Sequence, residues 1–488
     1  MLRFAVARTG VRQRVQVGSL ASSLKYLSVS ATVNAAAPAG KKKVKMGFKP
    51  KETKEKVKKS GMTHLKFEDA VRQLKFENLA RDLTDLQLAE LAADKLESIL
   101  STVVKFNGQT DKLLKELGSF KKAQHHELFR NHLSLVSDNT VAIRDQFLLK
   151  LDSASKDNRV CLLGEKGVGK STLIAQAQAL ALSQHNGDVV LLHLDFPERI
   201  VEGSSDYILN RKMKKYQQPM FTKRWIKKLR AANEAVFKKM PLTRDISFVA
   251  KKVEHNLKKG ENTVYDFILL NHDFGLVGPS TAFKFLVEEL KAHSEKFPVL
   301  VSIDNFNALI AEAFTKYFHP NMVPIHFTQF EAGHFIEQLV SGELSFAKGG
   351  VLLAESKDLG ECKTLRVGLR LQEHDPYDKR AQCDAVFADT MTKNGGVKPL
   401  FLENLSKDQT RELLLFWDKS GVLQVRDYPT KEIYKSTEEM LQDKRARKVG
   451  EYVECVDPQA QLENLVQSSY MLSSGNPGSL LKINHLVF

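Results

Sequence analysis

The sequence predicts an α/β fold in which a parallel five-stranded sheet packs against helices. One observation is a set of five short apolar runs, each suited to a buried strand and separated by helical patterns. The others are a glycine-rich turn that follows the first run and an aspartate that ends the third. The five runs cover residues 160–163, 189–194, 298–303, 350–354 and 399–402.

The glycine-rich turn has the pattern G-x-x-x-x-G-K-S over residues 164–171 and precedes a helix predicted over residues 172–182. In such a P-loop, backbone N–H groups and the helix N-terminus cradle phosphates. Lys170 is expected to reach the β- and γ-phosphates, and the Ser171 hydroxyl to ligate Mg²⁺. A glycine-rich turn without a ligand is the alternative. The predicted nucleotide-binding residues are Gly164, Glu165, Lys166, Gly167, Val168, Gly169, Lys170, Ser171 and Thr172.

The third apolar run ends in Asp304, which has the form of a Walker B carboxylate and is expected to lie near the same Mg²⁺ as Ser171. Motor-type P-loop ATPases usually place a glutamate directly after this aspartate to activate water. Here the residue is Asn305, whose amide cannot accept a proton as a general base. Glu312 and Glu355 are weaker substitutes, so the sequence predicts slow or absent hydrolysis and no catalytic residue.

The positive charge of the chain is concentrated at its start. The 488 residues carry a net charge of +15, and residues 1–60, with 15 Lys/Arg and 2 Glu, account for +13 of it. Residues 1–40 are rich in arginine and serine and contain no acid, which predicts a mitochondrial presequence and a matrix location. A disordered basic tail of a cytosolic protein is the alternative. Residues 41–61 form a lysine-rich tail, suited either to RNA phosphates or to a solvated linker.

Composition also limits the class of protein. No uninterrupted apolar run approaches the length of a transmembrane helix, so no membrane insertion is expected. The four cysteines are scattered and form no C-x-x-C pair, which fits a reducing compartment.

The body of the chain divides into an N-terminal helical extension over residues 62–140 and a nucleotide-binding core over residues 141–403. In the extension, residues 86–104 have a helical pattern. The core carries an insertion at about residues 196–297. Within it, residues 211–230 hold nine Lys/Arg and no acid, so one face is a candidate for RNA phosphates or is simply solvated. Trp225 and Leu229 share a helical face that is expected to be core.

Residues 404–488 are predicted to form a C-terminal helical lid, with Ser406 as the N-cap of its first helix. Near the end, Asn476 and Pro477 precede a short helix, as in the lids of AAA+ and related signalling ATPases. Those lids often place an arginine after the proline to contact the γ-phosphate. Gly478 stands there instead, which again predicts slow turnover.

An ordered series of motifs resembles the death-associated protein 3 family of mitochondrial small-subunit ribosomal proteins. The resemblance covers roughly residues 110–488 and begins with the glycine-rich turn. It continues with Gln218-Pro219, Trp225-Ile226-Lys227 and Asn233-Glu234, then the stretch from Val301 to Leu309, Lys348-Gly349-Gly350 and Ser474-Gly475-Asn476-Pro477.

The resemblance implies an AAA+-like fold and a place in the head of the mitochondrial small ribosomal subunit. It also implies contacts with small-subunit rRNA and neighbouring ribosomal proteins, with a bridge to the large subunit as a further expectation, and a bound GTP or GDP with Mg²⁺. No N-K-x-D motif for reading guanine is present, so ATP stays open.

Three functions fit these observations. The first is a structural ribosomal protein that holds a purine nucleotide and supports mitochondrial translation with slow or no hydrolysis. The second is an active matrix ATPase or GTPase switch, which needs a catalytic base and an arginine finger. The third is a metabolic P-loop kinase, for which no acceptor motif is visible.

Overall fold

The computed structural model describes residues 88–485, except 125, 127–128, 130–131, 212, 251–252, 272–277, 313, 421–422 and 424–457. The predicted presequence, the lysine-rich tail and the first part of the extension therefore lie outside the described residues. The middle of the predicted lid lies outside them as well.

From residue 88 onward, the described part of the N-terminal extension and the start of the core combine two α-helices with a small antiparallel sheet. The helix predicted over residues 86–104 is wrong: this stretch holds a short 3₁₀ turn and ends in a strand. The strand pairs Val103 with Leu135 and Lys105 with Leu133, so pairing with a distant segment overrides the local helical pattern. The elements are β1 (Val103–Lys105), α1 (Gly108–Leu117), β2 (Leu133–Leu135) and α2 (Asp138–Gln146).

The core begins with a strand, the glycine-rich turn and a helix, as predicted. The helix is buried over most of its length because alanine and leucine dominate its sequence and let it pack closely on all sides. The elements are β3 (Arg159–Leu163), α3 (Lys170–Gln184) and β4 (Val190–Leu194).

The insertion follows β4, and its described residues form two hairpins, four α-helices and a short 3₁₀ helix. Its elements are β5 (Ile208–Asn210), β6 (Lys215–Gln217), α4 (Pro219–Ala232), α5 (Glu234–Phe237), β7 (Ile246–Ala250), β8 (Val253–Leu257), α6 (Val264–Asn271) and α7 (Pro279–His293). The predicted aromatic face of α4 is confirmed as core, since Trp225 is buried and its ring stacks on Phe283. Its indole N–H donates to the carbonyl of His193 in β4, 2.8 Å away, which fixes the helix to the sheet.

The chain then returns to the sheet and completes the core. Its elements are β9 (Val299–Ile303), β10 (Phe314–Phe318), β11 (Pro324–His326), α8 (Glu331–Ser341), β12 (Gly349–Ala354), α9 (Lys363–Gly368), α10 (Ala385–Thr392) and β13 (Lys398–Phe401). The lid follows with α11 (Lys407–Lys419), α12 (Pro458–Ser473) and α13 (Pro477–His485). Ser406 caps α11 as predicted, because its hydroxyl accepts from the backbone N–H of Gln409.

The central sheet has the strand order β13-β3-β12-β9-β4, and every neighbouring pair is parallel. Numbered along the sheet's own strands this order is 5-1-4-3-2, and the parallel five-stranded sheet that the sequence predicts is confirmed. All residues of β3, β4, β9 and β12 are buried, which explains why these strands read as continuous apolar runs. The carboxyl ends of β3, β9 and β4 meet at one edge, where such folds bind ligands.

No helix among the described residues is both long and apolar enough to cross a lipid bilayer.

Candidate functional site

The glycine-rich turn links the carboxyl end of β3 to the first turn of α3. Gly164, Gly167 and Gly169 all have positive φ angles, of 153°, 88° and 103°, a region that glycine enters without strain. Gly169 is the N-cap of α3 and has no side chain to occupy the free N–H groups of the first turn. The turn therefore presents backbone donors and the positive end of a 15-residue helix at the sheet edge.

Lys170 is folded back onto this turn. Its ammonium donates to the carbonyls of Gly164 and Glu165, 2.8 and 2.6 Å away. The residue is only 8% exposed, and this burial lowers the pKa of Lys170. The lysine thus brings a positive charge into the turn and holds it closed.

Asp304 and Ser171 meet at this edge. Asp304 follows β9, and its backbone N–H donates to Leu194 of β4, which anchors it between the two strands. The Ser171 hydroxyl donates to Asp304 Oδ2 at 2.8 Å, and Asp304 is 2% exposed. A hydroxyl and a carboxylate are hard oxygen ligands of the kind that Mg²⁺ prefers. Within the described residues, no three His, Cys, Asp or Glu side chains cluster as a metal cage.

The N-terminal extension contributes two side chains that sequence reasoning missed. Lys121 places its ammonium 3.3 Å from Asp304 Oδ2 and 4.2 Å from the centre of the Phe196 ring, and it also donates to the carbonyl of Asp195. Gln124 donates to the hydroxyl of Thr172 at 3.1 Å. Nothing in the sequence distinguishes this lysine from its many neighbours, because only the folded chain brings residue 121 to the sheet edge.

Glu198 is the second group that the sequence did not reveal. It lies in a short 3₁₀ helix just after β4, and its Oε1 accepts from Asn305 Nδ2 at 2.7 Å. Burial raises the pKa of Glu198, although the Asn305 hydrogen bond acts in the opposite direction. Its second oxygen, Oε2, is buried and has no hydrogen-bond partner. The sequence signal that could have identified Glu198 is its position, because it is an acidic residue just after β4, the neighbour of β9 in the sheet.

The two glutamates that the sequence offered as substitutes have other surroundings. Glu312 is exposed. Glu355 is buried after β12 and lies 3.2 Å from Lys357 and 3.9 Å from Arg366. Within the described part of the chain, both oxygens of Glu355 are buried without a hydrogen-bond partner, and no hydrogen bond joins either glutamate to Asp304 or Asn305.

The lid touches the glycine-rich turn directly. Gly478 N–H donates to the carbonyl of Gly167 at 3.0 Å, and Asn476 Nδ2 donates to the carbonyl of Lys166 at 3.0 Å. A Cβ added to Gly478 would lie 2.8 Å from the Cα of Gly167. The close backbone contact explains why this position holds glycine and no arginine side chain.

The basic stretch of the insertion is divided between two roles. Lys228 is paired with Asp195 beside the site, whereas Arg224 and Lys227 of α4 are exposed, as is Lys214. Part of the predicted basic face therefore does lie at the surface.

Comparison with known proteins places the chain among its relatives. A family model described as mitochondrial ribosomal death-associated protein 3 matches residues 134–483. The small ribosomal subunit protein mS29 of Neurospora crassa is 24% identical over 331 residues, which cover 64% of this chain and 66% of that protein. The protein of the same name from Schizosaccharomyces pombe is 25% identical over 350 residues, 69% of this chain and 70% of its own length.

The match thus spans just under two thirds of the Neurospora protein. Among solved structures, Cdc6p from Pyrobaculum aerophilum matches 57% of this chain and 49% of its own, with 13% identity and a TM-score of 0.25. The family match includes the glycine-rich turn, Glu198, Asp304 and the lid turn, whereas Lys121 precedes it. Since that match covers well over half of its residues, the chain belongs to the mitochondrial ribosomal death-associated protein 3 family.

Proposed function

We propose that this chain is a structural protein of the mitochondrial small ribosomal subunit that holds a guanine nucleotide with Mg²⁺ and turns it over slowly. Family membership and the names of the two relatives support the ribosomal role. The observation that carries nucleotide binding is the Ser171–Asp304 hydrogen bond beside a lysine-bearing glycine turn. Its partners would be small-subunit rRNA and neighbouring ribosomal proteins, with a large-subunit bridge as an extension of the proposal.

The residues present fit the proposed ligand. Gly164 to Thr172 would hold the phosphates through backbone N–H groups and the ammonium of Lys170. Ser171 and Asp304 would hold the metal ion, which would neutralise phosphate charge. Arg224 and Lys227 are exposed and would bind RNA phosphates. Release of counterions from the RNA would favour this binding.

The ribosomal role is tested by sedimentation of the full chain from mitochondrial lysate. We expect the chain to co-sediment with the small subunit. Denaturing the small-subunit fraction should release guanine nucleotide, which anion-exchange chromatography identifies. Recovery only as a free protein would overturn the ribosomal role. Small subunits that carry the chain without any nucleotide would overturn the binding role alone.

The metal role predicts the behaviour of Asp304→Asn. The substitution keeps the shape but removes the charge that would orient the metal's ligands. We expect the Mg²⁺ concentration needed for tight nucleotide binding to rise about 10- to 100-fold, the range for lost metal-supporting groups. A titration of Mg²⁺ against a fluorescent guanine nucleotide measures this shift. Asp389→Asn, on an exposed residue of α10, is the control, and an unchanged Mg²⁺ requirement in Asp304→Asn contradicts the assignment.

A further inference from the structure

A carboxylate from the connection after β4 lies beside Asn305. Asn305 occupies the position where hydrolytic P-loop proteins usually carry a glutamate, and its amide holds the carboxylate of Glu198 at 2.7 Å. We propose that Glu198 orients the attacking water and accepts its proton when the bound nucleoside triphosphate is hydrolysed. This inference rests on the proposed nucleotide binding and assigns a residue to the hydrolysis step.

The topology explains how Glu198 reaches this place. β4 and β9 are parallel neighbours, with Leu194 opposite Ile303, so both strands end at the same level. After β4 the chain turns into a 3₁₀ helix (Pro197–Ile200), and after β9 it turns into another (Phe306–Leu309). The two short helices pack against each other, which brings Glu198 beside Asn305.

Asn305 is shaped for this contact. Its backbone has φ 54° and ψ 38°, the left-handed region that asparagine tolerates better than most residues. Its backbone N–H donates to Asp304 Oδ1 at 3.0 Å while its side chain donates to Glu198. Asn305 therefore fixes the Asp304 carboxylate, proposed to hold the metal, relative to the Glu198 carboxylate, proposed to hold the water.

Oε2 of Glu198 is the oxygen that would bind the water. Oε1 is engaged by Asn305, whereas Oε2 is buried and unpartnered. A carboxylate oxygen without a donor, at the edge where the phosphates would lie, can accept a hydrogen bond from water. Glu312 is exposed. Glu355 also has buried oxygens without a hydrogen bond, but its Oε1 lies 3.2 Å from Lys357 Nζ and Asn305 donates to Glu198.

The step balances without any further reactant. The water oxygen forms a bond to the γ-phosphorus as the bond from that phosphorus to the β–γ bridging oxygen breaks. The electron pair of the broken bond stays on the nucleoside diphosphate, and the water proton passes to Glu198 and then to solvent. Lys121, 3.3 Å from Asp304, supplies positive charge at the same edge.

The test compares Glu198→Gln with wild type in the full chain. Glutamine keeps the size and can still accept from Asn305, but it cannot take a proton. We expect GTP affinity to stay within about twofold and single-turnover hydrolysis of bound GTP to fall about 10²- to 10⁴-fold, the usual contribution of a general base. We also expect the variant to retain GTP on purification where wild type retains GDP. Glu202→Gln, an exposed acid four residues further on, is the control.

Asn305→Gly tests the positioning role, because glycine keeps the left-handed backbone and removes only the amide. We expect Asn305→Gly to lower the hydrolysis rate and to leave GTP affinity unchanged. The double variant of Asn305→Gly and Glu198→Gln should hydrolyse GTP no more slowly than Glu198→Gln alone. Wild-type rates in Glu198→Gln, or wild type that binds GTP and never cleaves it, would overturn the inference while leaving nucleotide binding intact. Failure of wild type to bind any purine nucleotide would instead overturn the proposed function.

Discussion

Replacing Lys170 with alanine is expected to weaken guanine nucleotide binding about 10- to 100-fold. The ammonium would exchange its hydrogen bonds to Gly164 and Glu165 for bonds to phosphate oxygens, and hydrogen bonds to charged groups contribute about 1.5–3 kcal/mol each. Isothermal titration with GDP and GTP measures the loss directly.

Lys170→Ala should also lose most of the stability that bound nucleotide adds to the folded protein. A ligand that binds only the folded state adds about 4 kcal/mol to the free energy of unfolding at a thousandfold excess over Kd. Thermal melting with and without nucleotide should show a large shift for wild type and a small one for Lys170→Ala. Lys156→Ala is the control, because this lysine is exposed and lies outside the glycine-rich turn. Equal nucleotide-dependent shifts in wild type and Lys170→Ala would contradict the proposed phosphate site.

A single methyl group at Gly478 is expected to separate the lid from the glycine-rich turn. The new Cβ would lie 2.8 Å from the Cα of Gly167, a backbone atom that cannot rotate away. Forcing atoms into a packed contact costs about 1–3 kcal/mol. We therefore expect Gly478→Ala to lower the free energy of unfolding by that amount and to weaken nucleotide binding, because the hydrogen bond from Gly478 to Gly167 lengthens.

Chemical denaturation and fluorescent nucleotide binding test this variant together. Gly108→Ala is the control, since a Cβ there meets no atom within 4 Å and its φ angle is ordinary. If Gly478→Ala matched Gly108→Ala in both measurements, the contact between lid and turn would be structurally incidental.

The sequence was most informative where local chemistry determines structure. Four of the five apolar runs could be predicted as strands because each is buried on both faces, whereas β13 is an edge strand with exposed residues. The glycine-rich turn could be predicted because its positive φ angles favour glycine. The pairing of Ser171 with Asp304 followed from the parallel sheet, which brings strand ends to one edge. The N-cap at Ser406 followed from its hydroxyl, and the structure adds a capping box with Gln409.

Prediction failed where distant segments meet. Residues 86–104 have a helical pattern, but pairing of Val103 with Leu135 draws their end into a strand. Lys121 carries no local signature and Glu198 only its position shortly after β4, because each enters the site through the packing of a connection and not through a motif. Asn305 could be identified as a departure from the usual glutamate, yet its partner became apparent only in three dimensions.

The contact between Asn476 and Lys166 joins positions 310 residues apart in the chain. During synthesis, the glycine-rich turn emerges early but lacks this contact until residues 476–478 have followed. A chain that ended after β13 and before residue 476 would have all five strands of the sheet and lack the hydrogen bonds from residues 476 and 478 to the turn.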